Sequence, residues 1–133
     1  MKDTFKILIS GFLAVVILDT LGSIASRQFA FNYGLLSPFS YLIYGTVAYL
    51  VTSESNFSKG VTYAVFMGFF DATIGLSIST YLEANIGTDY EMTPAFWATA
   101  VIFNSVFAAL IGAIGGGFAK RKNKNSAKVQ QGA

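Results

Sequence analysis

Two aspartates stand inside long apolar runs, Asp19 in residues 5–26 and Asp71 in residues 60–82. An ionised carboxylate at the centre of a hydrocarbon layer costs at least roughly 2.5–3.5 kcal/mol, so such a group stays protonated, meets water or pairs with a cation. No Lys or Arg lies in the interior of an apolar run, and only Arg27, two helical turns past Asp19, is spaced to reach back toward an acid. The neutral donors within reach are Thr20 and Thr73 beside the acids, and Tyr44 and Asn104 in two further apolar runs. Asp71, Asp19, Asn104, Tyr44, Thr20 and Thr73 therefore make a candidate polar site within a membrane, suited to a proton, a sodium ion or a cationic solute.

Other chemistry is narrowed by what the chain lacks. There is no cysteine and no histidine. Disulfides, thiolate nucleophiles, Cys/His metal sites and imidazole-dependent triads are thereby excluded. Carboxylates and hydroxyls alone, without a metal cluster or phosphate-cradling loop, point away from an enzyme. No catalytic residue, cofactor or metal is expected. Gly115-Gly116-Gly117, at the end of an apolar run and close to Lys120, reads as a flexible helix end and not as a phosphate loop.

The elements that must position the acids follow from composition. Of 133 residues, 53% are hydrophobic and 12% charged. That charged share is about half the roughly 25% of soluble domains, too little to build a wetted surface. Four runs approach the roughly 20 apolar residues needed to cross a bilayer: about 5–26, 37–52, 60–82 and 94–119. The expectation is an all-α membrane protein, a four-helix transmembrane bundle in one domain (1–119), followed by a basic, mobile tail (120–133). Ser37-Pro38 and Thr93-Pro94 resemble helix starts, with the hydroxyl as cap and proline in the first turn. Tyr33, Tyr90 and Trp97 lie near those starts, where boundary aromatics belong.

Charge sets the expected orientation. Lys2 and Lys6 precede the first span, Lys59 lies between the second and third, and five basic residues follow the fourth in 120–128. Eight of nine basic residues thus share one side, and only Arg27 lies on the other, near acidic Glu83, Asp89 and Glu91. By the positive-inside rule both termini are cytoplasmic, in a multi-pass protein of the cell membrane. The same asymmetry makes the basic cluster a topology signal, so no nucleic-acid partner is expected. Lys2, the run 7–18 and Ser23-Ile24-Ala25 also have the form of a cleavable signal peptide. The length of the run and Asp19 within it favour a retained span.

The two halves look like copies of one helical hairpin. Asp19-Thr20-Leu21-Gly22 with Ser26 corresponds to Asp71-Ala72-Thr73-Ile74-Gly75 with Ser79; the acid stands three residues before Gly in one copy and four in the other. Two-span units enter the membrane with the same orientation, giving a parallel repeat. Small residues recur at helical spacing: Gly11, Gly22 and Ser26; Ala64, Gly68, Gly75 and Ser79; Gly45 and Ala48; Ala108 and Gly112. Gly22, Ser26, Gly75, Ser79 and Gly112 are assigned to close helix packing, the main source of association when lipid supplies no hydrophobic drive. Two functional classes follow: a carrier or channel component, or a non-catalytic structural or accessory subunit. The expected partners are the bilayer and a second copy or another membrane protein, because four slim helices enclose little space.

Overall fold

The computed structural model describes residues 2–87 and 92–131; Asp89, Tyr90 and Glu91 lie outside the described residues. Among the described residues every regular element is helical. Helix α1 spans Lys2–Gln28, a 3-10 turn Tyr33–Leu36, α2 Ser37–Glu54, α3 Phe57–Phe70, a π turn Asp71–Gly75, α4 Leu76–Tyr81 and α5 Pro94–Gln131. α3, the π turn and α4 form one continuous rod, so there are four rods. All four are long and apolar enough to cross a membrane, over Asp3–Gln28, Tyr33–Glu54, Phe57–Tyr81 and Pro94–Ala127.

The helix starts differ from expectation in detail. Thr93 does cap α5, accepting from the Phe96 N–H at 3.2 Å. Ser37 does not cap α2; its hydroxyl donates to Gly34 O at 2.8 Å, because the 3-10 turn leads directly into the helix and already occupies its first amides. α3 begins at Phe57, where the Asn56 side chain accepts from the Lys59 N–H at 2.9 Å.

Two corrections concern α5, a single helix of 38 residues. Gly115–Gly117 is not its end; Gly115 and Gly116 are packed against α2 and the start of α3, and those contacts hold the helix through the glycines. The basic segment expected as a mobile tail continues the helix through Gln131. Between Phe118 and Gln131 there is no Gly or Pro, and Ala, Lys, Arg and Gln dominate, all strong helix formers.

The bundle is small inside and large outside. α5 lies against both α2 and α3, α2 lies against α3, and α1 completes the bundle along both α2 and the third rod. The core is Val15, Tyr44, Val47, Ala48, Val51, Ala64, Met67 and Ala108. Phe5, Ile9, Leu13, Ile17 and Leu21 form an exposed stripe on α1, opposite buried Gly11, Val15, Asp19 and Gly22. In water that stripe would be costly; against lipid tails it is the expected face.

Two chain reversals at one end, here the loop end, are built alike. Ala30 and Glu83, each four residues past a buried serine (Ser26, Ser79), adopt left-handed φ of 54°. Two residues later the side chain of Asn32 accepts from the Gly34 N–H (2.8 Å), and that of Asn85 from the Gly87 N–H (3.1 Å). The reversals touch each other: Tyr33 N–H donates to Asn85 O at 2.7 Å, and Asn85 N–H to the Ser26 hydroxyl at 3.2 Å. The opposite, terminal end carries the start of α1 and the Glu54–Phe57 turn.

Candidate functional site

Helical periodicity turns Asp19 and Asp71 toward one another from different rods. Asp19 is buried on α1, and Asp71 opens the π turn of the third rod. A Cβ on Gly75 would overlap both Asp19 Oδ2 and Asp71 Oδ1, so the two carboxyl groups converge on the space left by that glycine. Gly75, expected as a packing residue, is what lets the acids meet. A π turn carries one residue more per hydrogen-bonded ring than an α turn, and such turns concentrate at functional sites.

The outer oxygens of the pair are held by tyrosines. Tyr33 donates its hydroxyl to Asp19 Oδ1, and Tyr44 donates to Asp71 Oδ2. Asn104 of α5 donates its amide to the Tyr44 oxygen (3.2 Å) and to Gly68 O (3.0 Å), joining α5, α2 and the third rod. Ser40 faces Asp71, and Ser79 faces the Tyr33 hydroxyl. Ser79 also donates to Gly75 O at 3.0 Å. The inner oxygen Asp19 Oδ2 is buried without a hydrogen-bond partner. Two carboxyl groups facing each other at so short a range are stabilised by a proton or cation between them, since like charges withdrawn from bulk water are poorly screened.

A cavity of about 280 Å³ adjoins the pair. Its polar wall includes Asp19, Asp71, Tyr33, Ser40, Ser79 and Asn104. Tyr41, Leu36, Leu76, Ala100 and Phe103 supply the apolar remainder. These residues come from the loop-end half of the bundle, whereas most of the buried core and the glycines that meet neighbouring backbone, Gly60, Gly68 and Gly115, lie toward the other half.

Of the candidate residues read from sequence, Asp71, Asp19, Asn104 and Tyr44 come together here. Thr73 does not: its hydroxyl donates to Phe69 O (2.8 Å) and Phe70 O (3.1 Å) in its own helix, a common fate for threonine in helices. Thr20 follows Asp19 on α1 but does not line the cavity, because adjacent helical residues point about 100° apart. Arg27 does not reach back to Asp19; it pairs across the loop end with Glu83, Nη1 to Oε2 3.1 Å, both side chains well exposed. Gly22 gives room to Leu36 and Tyr33, Ser26 donates to Ser23 O (2.9 Å), and Gly112 admits the Ala64 Cβ.

Sequence reading misses Tyr33 and Ser40. Tyr33 reads as a boundary aromatic, and no helical spacing ties it to Asp19, 14 residues earlier across a chain reversal. Ser40 follows Pro38 by two residues, on the face of α2 that also carries Tyr44. Comparison of the chain with known protein families, curated proteins and solved structures finds no match.

Proposed function

We propose that this chain is a multi-pass protein of the cell membrane with both termini cytoplasmic, and that its Asp19–Asp71 pair is a proton- or cation-binding site in a carrier or channel component. One observation carries the reading: two carboxyl groups converge at Gly75 inside the bundle, and the buried Asp19 Oδ2 faces no donor other than the second acid. A pair kept only for packing would need no facing oxygens; a single acid with a tyrosine donor would serve. The reading is of a binding site, not a catalytic one. The ionisable groups brought together are the two acids and the tyrosines that donate to them.

The orientation is supported by the placement of eight of nine basic residues at the terminal end, with the cavity on the opposite half. The cavity stops at the buried core, so passage across the membrane calls for a second conformation, a second copy or a partner protein. We read the two hairpins as a parallel repeat, supported by the matched left-handed residues and matched Asn-x-Gly turns at the loop end.

Infrared difference spectroscopy on bilayer-reconstituted protein tests the site, with Asp19→Asn and Asp71→Asn assigning the carboxyl bands. A band that answers pH or sodium, and is lost in either variant, is the expected result. Bands indifferent to both would reduce the pair to a packing element and favour an accessory subunit.

A further inference from the structure

The cavity beside the acid pair, about 280 Å³, is far larger than a bare ion needs, and its wall carries a second chemistry. The rings of Tyr33, Tyr41 and Phe103 line it together with the two acids. Two of those rings are braced by a third: Tyr41 stacks on Phe107 with centroids 5.7 Å apart, and Phe103 lies 4.8 Å from the same ring. Asp19 Oδ2, 1% exposed at the residue level and without a partner, points to where Asp71 Oδ1 stands.

A facing carboxyl pair that holds one proton carries one net negative charge. Aromatic faces attract cations most strongly where water is excluded, and charge spread over alkyl groups suits them best. Sodium or potassium would use the oxygens and leave the rings without a role. We propose that the cavity walled by Asp19, Asp71, Tyr33, Tyr41 and Phe103 binds one small organic ammonium ion. The proposal rests on the reading of the acid pair as a cation site and names the class of cation. The ammonium centre lies over the aromatic wall and toward the pair, while a hydroxyl or N–H on the ligand reaches Ser40 or Asn104.

Calorimetric titration of the purified full chain in detergent with choline tests this, with tetramethylammonium, sodium chloride and the uncharged carbon isostere of choline as comparators. Saturable binding of choline and tetramethylammonium is expected, with none of the isostere. Phe103→Ala removes a ring that is 59% exposed, so the fold is retained. It should weaken choline and tetramethylammonium about threefold, the scale of a partly exposed cation–π contact. Equal binding of the isostere overturns the ammonium assignment, as does an absence of choline binding by protein whose acid pair still answers pH or sodium; the acid site then stands alone. A pair that answers neither ammonium, sodium nor pH overturns both readings.

Discussion

The two halves of this bundle solve opposite problems with the same helices. Toward the terminal end, glycine and alanine bring backbones into contact: α5 meets α2 at Gly115 against the Gly45 carbonyl, and meets α3 at Gly112 against Ala64. Toward the loop end, tyrosines, serines and carboxyl groups hold the rods apart around a cavity. The switch occurs near Gly68 and Asn104, where a Cβ on Gly68 would stand 2.7 Å from Asn104 O while the Asn104 amide already reaches Tyr44. Close packing in one half supplies association that a hollow half cannot, and it would matter most in lipid, which gives no hydrophobic drive between helices. A hollow polar site in so small a bundle therefore depends on the tight half beside it.

Among single substitutions the largest expected effect breaks the tight half. Gly115→Ala drives a methyl into the Gly45 carbonyl, a backbone atom that no rotamer change can move. The α2–α5 contact must open, at about 3 kcal/mol, the upper part of the usual overpacking range. Gly117→Ala, two residues along the same helix, meets nothing within 4 Å and should stabilise by up to about 1 kcal/mol through helix propensity. Thermal unfolding of both variants in detergent is the check. Equal stability would mean that backbone contact at Gly115 contributes nothing.

The next two variants act in the hollow half. Gly75→Ala also creates an overlap, but with the far ends of two side chains that can rotate. The cost should be nearer 2 kcal/mol, with the greater loss in the response of the carboxyl bands to pH and sodium. Unchanged bands would mean that the acids do not interact across that glycine. Tyr44→Phe strips Asp71 Oδ2 of its donor and the Asn104 amide of one acceptor, worth about 1–2 kcal/mol. Tyr33→Phe should cost less, because Tyr33 is half-buried and water can replace its hydroxyl. A reversal of that order would mean that the Tyr33 hydroxyl is closed off from water although its ring is half-buried.

Most of the architecture is legible in the sequence because it rests on long-range averages: apolar run length, proline at two helix starts and the lack of surface charge. The gathering of Asp19, Asp71, Tyr44 and Asn104 is legible because each lies on a stripe of small or polar residues. The features that escape depend on single side chains. The Thr73 hydroxyl beside Asp71 is absorbed by its own helix, and Arg27 finds Glu83 across the loop end, a pairing that no helical spacing encodes. Tyr33 escapes because periodicity on α2 stops at its first turn. The tail is basic and polar in sequence, and its uninterrupted helix formers carry α5 through it to Gln131.

The smallest expected effect tests why the third rod contains a π turn. Asp71 and Gly75 stand four residues apart, whereas Asp19 and Gly22 stand three apart, and the π turn covers the longer interval. A π turn absorbs one extra residue without rotating the helix beyond it. Deleting Ala72 leaves Asp-Thr-Ile-Gly, close to the Asp-Thr-Leu-Gly of α1, and lets the turn relax to an ordinary α turn with Ser79 still facing inward. Stability should change by no more than about 1 kcal/mol in thermal unfolding, a fraction of what a rotated helix costs. Deleting Val65 from regular α3 offers no such reserve: the rod on one side turns by about 100°, Asp71 swings toward lipid, and folded protein should be lost. If both deletions are equally damaging, the π turn is not an absorbed insertion, and the correspondence between the two hairpins loses its strongest physical support.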